Sequence, residues 1–278
     1  AYAVTEMISA HSILQHETLK KRYLAHSPNE GPWCIQLSGS QPELMYQATQ
    51  IAASYQPDLI DLNCGCPKPK IRSKGCGSAH MNSLKNLHNV VTAMRQATTL
   101  PLTVKIRSAG QTDDHAYLEA ATVIEACGAD AIIVHGRHYS EDYDVPANYE
   151  HIRKIVECVN IPVIANGDVQ DKISMHRCFD ESGAAAIMIA RGSLGRPWLF
   201  HELLGNDRVP SLSEVLGIFQ HHIEKLAQLE ASETTALFQA KRLLKWYFPS
   251  LDRTQLECCY HVDHFKTLFL MLREFCCL

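Results

Sequence analysis

No apolar run in this 278-residue sequence approaches the roughly 18 residues that a membrane-spanning helix needs, which excludes a fold built of hydrophobic spans. The opening residues also lack the basic, apolar and small-residue succession of a secretory leader. The expectation is therefore a cytoplasmic protein with no membrane association. An excess of either charge is missing as well: 26 Lys and Arg stand against 30 Asp and Glu, a formal net charge of −4 with the 15 histidines counted neutral. A nucleic-acid partner would have to be met by a local basic patch, because the overall field does not attract it. There is no low-complexity tract, and no internal repeat beyond a βα unit.

Cysteine is plentiful, with eleven residues at irregular spacings that include Cys258-Cys259 and Cys276-Cys277. In a chain this long such spacing does not read as a disulfide framework, so most are expected to be reduced. Cys127, Cys158 and Cys178 are expected to act as small buried hydrophobes. With 46% hydrophobic and 20% charged residues, the chain can bury one large core and a smaller second one.

Short β-rich runs alternate with helix-length segments, the βαβα pattern of a parallel sheet. Seven strands are predicted, at Ala3–Met7, Trp33–Leu37, Leu59–Leu62, Leu102–Ile106, Ala131–His135, Pro162–Ala165 and Ala186–Ile189. Helices are predicted at Pro42–Tyr55, Leu84–Ala97, Asp114–Cys127, Tyr149–Val159 and Lys172–Glu181. Ala131–Val134, Pro162–Ala165 and Ala186–Ile189 read as near-continuous Val/Ile/Leu runs, as expected when both faces are buried. Polar residues follow nearly every strand, which favours a (β/α)8-type barrel with its site on one rim over an open doubly wound sheet. After Phe200 the strands stop, and Leu212–Glu230, Thr235–Phe248 and His261–Leu278 read as amphipathic helices of a small bundle. The expected division is a catalytic barrel over 1–204 and a helical domain over 205–278.

The chemistry sits at the strand ends. Asn63-Cys64-Gly65-Cys66-Pro67 puts a thiol where a strand opens into a loop. Lys105-Ile-Arg107 and His135-Gly-Arg137 close the strands that follow, so Lys105 and His135 could converge over a barrel mouth, where a lysine can stabilise negative charge on a reduced cofactor. Asn166-Gly167-Asp168 and Ala190-Arg191-Gly192 could bind a phosphate through backbone N–H groups, or could simply make tight βα turns. Cys64, Cys66, Cys76 and His80 could form a Cys3His cluster, and Cys258, Cys259, His261 and His264 a weaker one. The first lacks a usual zinc spacing and the second lies on or near an amphipathic helix, where ordinary packing is expected, so no metal is expected.

Taken in order, Asp61-Leu-Asn-Cys-Gly-Cys-Pro67, Lys74-Gly-Cys-Gly-Ser-Ala79, Thr103-Val-Lys-Ile-Arg107, Val134-His-Gly-Arg137, Ile161-Pro-Val-Ile-Ala-Asn-Gly-Asp168, Ile187-Met-Ile-Ala-Arg-Gly192 and Gly195-Arg-Pro-Trp198 resemble the dihydrouridine synthases, flavin enzymes that reduce uridine in transfer RNA. Ala240-Lys-Arg-Leu-Leu-Lys-Trp-Tyr247 resembles the family's helical tRNA-binding domain, so the likeness covers nearly the whole chain. The resemblance implies FMN held by Gln36, Lys105, His135, Asn166, Gly167, Asp168, Ala190 and Arg191, with NADPH as its reductant. It implies Cys66 as proton donor to C5 of a D-loop uracil whose C6 receives the hydride, and Asn63 and Arg107 as contacts to the flavin or the base. A protonated thiol can serve as general acid at neutral pH. Phosphate contacts are expected from Lys68, Lys70, Arg72 and Lys74 and from Lys241, Arg242 and Lys245. The family's first strand has no counterpart, since Ala1-Tyr-Ala-Val-Thr-Glu-Met7 resembles its second, so an N-terminally truncated barrel is expected. The protein is expected to be a monomer. A flavin barrel acting on a free pyrimidine, and a tRNA-binding remnant without flavin, are the alternative readings.

Overall fold

The computed structural model describes residues 1–17, 22–27, 30–109, 115–206, 208–230 and 232–277. Asp114 and Leu278, ends of two predicted helices, lie outside them. The chain divides into two compact units, one of 1–169 with 173–189 and one of 170–172 with 190–278.

The first unit is a parallel sheet wrapped by helices. Its strands are β1 (Ala3–Val4), β2 (Ile8–Ser9), β3 (Trp33–Ser38), β4 (Leu59–Asn63), β5 (Leu102–Arg107), β6 (Ala131–His135), β7 (Val163–Asn166) and β8 (Ala186–Met188). From β3 onward each pairs in parallel with the next, and β1 and β2 both pair with β3. The predicted strand Ala3–Met7 is thus two short pieces along one neighbour. Between them Thr5 keeps contact, its N–H donating to the Cys34 carbonyl at 2.9 Å and its Oγ1 accepting the Gln36 N–H at 3.0 Å. Among the described residues no pairing joins β8 back to β1, so the TIM-like α/β sheet is a partial barrel.

The helices of this unit are α1 (Ala10–Gln15), α2 (Pro42–Ser54), α3 (Pro69–Arg72), α4 (Leu84–Ala97), α5 (Ala116–Ala126), α6 (Tyr149–Cys158) and α7 (Lys172–Ser182). Their starts follow from local chemistry. Proline occupies the first turn of α2 and α3, and Ser83 and Asn148 accept a backbone N–H at the starts of α4 and α6. Of the three cysteines expected in the core, Cys127 and Cys178 are buried. Cys158, the last residue of α6, is exposed.

β3, β4 and β5 alternate, whereas β6 and β7 keep the continuous apolar runs expected of them up to His135 and Asn166. One face carries Ile35, Leu37, Ile60, Leu62, Val104, Ile106, Ile132, Val134, Val163 and Ala165, all in the core packed with the helices. The other face carries Gln36, Asp61, Asn63, Thr103, Lys105, Arg107, His135 and Asn166. Register sets these polar residues side by side: Gln36 pairs with Asp61 and Asp61 with Thr103, Asn63 pairs with Lys105, and Arg107 pairs with His135, which pairs with Asn166.

The second unit is helical, with α8 (Leu199–Leu203), α9 (Leu212–Glu230), α10 (Glu233–Tyr247), α11 (Arg253–Tyr260) and α12 (Phe265–Phe275). Phe219 is its hub, with ring centroids 5.0 Å from Tyr247, 5.4 Å from Phe248 and 6.1 Å from Phe269. The helix predicted at His261–Leu278 begins instead at Phe265, and α11 precedes it. Asp252 and Gln255 form a reciprocal capping box that starts α11.

The division at 189/190 falls before the expected 204/205, for a packing reason. Gly195 has φ +69°, and a Cβ there would come within 2.2 Å of the Trp246 backbone. Leu199 is buried and Trp198 packs on the helical core, so the segment after β8 belongs to the bundle.

Candidate active site

The polar face of the sheet sets the predicted Gln36, Asn63, Lys105, Arg107, His135 and Asn166 side by side. Gln36 Nε2 donates to Asp61 Oδ2 at 2.8 Å, and Thr103 Oγ1 donates to Asp61 Oδ1 at 2.6 Å. Asn63 Nδ2 donates to Gln36 Oε1 at 2.8 Å, while Asn63 Oδ1 accepts the N–H groups of Cys66 at 2.9 Å and Gly65 at 3.2 Å. That side chain closes the turn carrying the thiol, the short-range bonding for which Asn is favoured after a strand.

The two cysteines of the motif differ sharply. Cys64 is wholly inaccessible, and burial pushes its thiol well above the ordinary range, Asp61 and Cys76 adding to the shift. Cys66 is half-buried. Gly77, with φ +61°, lies against it: a Cβ there would stand 2.6 Å from the Cys66 carbonyl oxygen and 3.0 Å from the Cys66 Cβ. Arg107 fixes the same loop from the other side, Nε donating to the Gly65 carbonyl at 2.8 Å and Nη1 to the His138 carbonyl at 3.0 Å.

Lys105 donates from Nζ to Asn166 Oδ1 at 2.8 Å, and Asn166 Nδ2 donates to the Met188 carbonyl at 2.9 Å. Burial lowers the Lys105 ammonium to about 8, against the attraction of Asp61 and with the help of Arg107. Burial likewise raises the Asp61 carboxyl to about 7, although the bonds from Thr103 and Gln36 and the charge of Lys105 oppose it. Asn166 fixes one of the three lysine donors, and two remain for a carbonyl or anionic ring edge. Amide and ammonium donors on one buried face suit the pyrimidine edge of a flavin.

At the end of β6 and β7 the arrangement departs from expectation. Asp168, at φ +56°, accepts Arg137 Nη2 on both carboxylate oxygens, at 2.7 Å for Oδ2, and the Ala147 N–H on Oδ2 at 2.7 Å. Arg137 is 1% exposed; it also donates from Nε to the Val145 carbonyl, and its Nη1 lies 3.2 Å from His135 Nε2. Asp168 therefore orders the loop after β6. The Gly167 carbonyl accepts the Tyr149 hydroxyl at 2.8 Å. Ala190 and Arg191 are exposed and fall in the second unit.

The expected basic loop is partly the helical turn α3. Lys68, Lys70 and Lys74 are exposed, whereas the Arg72 guanidinium lies 3.4 Å over the Tyr139 ring. In the second unit Arg242 and Lys245 are exposed and Lys241 half-buried, with the Lys245 ammonium 5.2 Å from the Trp246 ring centroid. Asp61, Thr103 and Arg137 were absent from the expected site. Asp61 and Thr103 could have been found from the polar residue at every second position of otherwise apolar strands.

A family model described as dihydrouridine synthase (Dus) matches residues 1–263. A Pasteurella multocida protein named tRNA-dihydrouridine synthase B is 34% identical over 254 residues, 89% of this chain and 76% of that protein. One of the same name from Shewanella oneidensis is 32% identical over 267 residues, 94% and 83% of the two chains. A Synechocystis protein named probable tRNA-dihydrouridine synthase 1 is 34% identical over 253 residues, 89% of this chain and 70% of that one.

Proposed function

Because this chain belongs to the dihydrouridine synthase family, we propose that it is a tRNA-dihydrouridine synthase, an oxidoreductase that reduces the C5=C6 bond of a D-loop uridine. The observation that carries this reading is the half-buried Cys66 held at its backbone by Asn63, on the sheet face that carries the buried Gln36 and Asn166 and the half-buried Lys105. When bound, FMN reduced by NADPH would supply the hydride for C6 of the uracil.

The residues of the chain do the rest. Cys66 gives its proton to C5, the general-acid role for which a neutral thiol at pH 7 is suited. Asn63 and Arg107 hold the loop that presents it, from its two sides. Gln36, Lys105 and Asn166 orient the flavin ring edge, and the ammonium of Lys105 offsets negative charge there. His135, Gly167 and Asp168 complete the part of the flavin site carried by the first unit, with Asp168 acting through Arg137 on the loop after β6. The uracil must leave its stack to come within reacting distance. Exposed Lys68, Lys70 and Lys74 in the first unit, with Arg72, hold RNA phosphates, as do Lys241, Arg242 and Lys245 in the helical unit.

Among the described residues no helix is long and apolar enough to cross a membrane. The reading is of a monomer working in the cytoplasm. Its test is nucleoside mass spectrometry of tRNA from a strain lacking other synthases for the same site. The wild-type gene restores dihydrouridine and Cys66→Ala does not; full dihydrouridine with Cys66→Ala would remove the proton-donor role. A purified protein that neither carries flavin nor takes up added FMN would remove the cofactor assignment.

A further inference from the structure

Asp61 is 0% exposed, in the middle of β4 and two residues before Asn63 on the same face. A carboxylate at that depth must be fully hydrogen-bonded, and its partners reveal a directed chain. Gln36 Nε2 donates to Asp61 Oδ2, which leaves Gln36 Oε1 to accept; it accepts Asn63 Nδ2. With Nδ2 used, Asn63 Oδ1 accepts, and it takes the N–H groups of Gly65 and Cys66. The orientation of any single side-chain amide is ambiguous from its shape. Here both ends remove the ambiguity, since backbone N–H groups only donate and Asp61 Oδ2 accepts.

We propose that Asp61 is a positioning residue for the Cys66 loop: it sets the direction of the Asp61–Gln36–Asn63 relay and thereby the backbone from which the thiol projects. The significance given to Cys66 rests on the proposed function; the relay itself does not. A proton on Asp61 Oδ1 would turn toward Thr103 Oγ1 and leave Oδ2 accepting from Gln36, so the relay keeps its direction whether Asp61 is charged or neutral. An asparagine in its place can do the same, with Oδ1 toward Gln36 and Nδ2 toward the Thr103 hydroxyl. A leucine cannot. The relay is thereby distinguished from a role as counter-charge to Lys105, which asparagine would abolish as fully as leucine.

The experiment is amide hydrogen exchange of the ligand-free full chain, read at Gly65 and Cys66 with β6 as internal reference. Asp61→Leu and, separately, Gln36→Met should each speed exchange at those two amides about ten-fold with β6 unchanged, and Asp61→Asn should stay within about three-fold of wild type. Iodoacetamide labelling of Cys66 should follow the same order. Where Asp61→Leu does not fold, Gln36→Met decides. Unchanged exchange in Gln36→Met, or equal loosening by Asp61→Asn and Asp61→Leu, overturns the proposal. Because the measurement uses neither tRNA nor flavin, a protein that fails to make dihydrouridine yet shows this order keeps the relay and loses only the functional reading.

Discussion

Cys64 and Cys66 are two residues apart and chemically identical in the sequence, and burial separates them. In native protein, a short pulse of alkylating reagent should label Cys66 and leave Cys64 unmodified, with Cys64 reacting only after denaturation; peptide mass spectrometry reads both. Asp61 gives a second prediction. Its carboxyl moves from 3.8 to about 7 on folding, so its contribution to stability is full below about pH 4 and falls as pH rises through about 7. The stability of wild type relative to Asp61→Asn should therefore decline across that window, at up to about 1.4 kcal/mol per pH unit. Urea midpoints over pH 4 to 8 measure this, and a flat difference contradicts it. Lys105 has the opposite sign: its contribution is full above its ordinary 10.5 and is lost as pH falls through about 8. Most of this site was legible residue by residue, because Asn63, Cys66, Lys105, Arg107 and His135 each end or follow a recognisable strand. Arg137 was not, since its significance lies in Asp168, 31 residues away, and in carbonyls of a loop without regular pattern.

At the level of elements, the predicted strands after the first and the predicted helices of the sheet unit were readable to within a residue or two, because they announce themselves locally; α1 and α3, of six and four residues, are too short to show a periodic pattern and were not predicted. The break between β1 and β2 was not, since it depends on how Thr5 bonds to β3. In the bundle, the stretch after Phe248 was misread because α11 is only eight residues long and its signal is the cap Asp252-x-x-Gln255 rather than a hydrophobic stripe. Asp252→Ala should remove the half of that box made by the carboxylate, leaving the residue 252 N–H to Gln255, and cost about 1 kcal/mol. Chemical denaturation followed at Trp246 would detect it, and an Asp252→Ser control should lose less.

For the molecule as a whole, a net charge of −4 leaves RNA binding to local cationic clusters. Removing Lys68, Lys70 and Lys74 together by alanine should flatten the dependence of log binding constant on log salt by roughly 2 to 3, as expected for three lost phosphate contacts. Filter binding of tRNA across a salt series measures this, and an unchanged slope would take these lysines out of the interface. The alternation of the strands has a further consequence, for folding fidelity. Slipping β4 or β5 by one position along its neighbour would turn Asp61 and Asn63, or Thr103, Lys105 and Arg107, into the oily layer beneath the helices. Such mispaired chains are penalised by stranded charges, so the side chains kept for chemistry also proofread the alignment of the sheet that carries them.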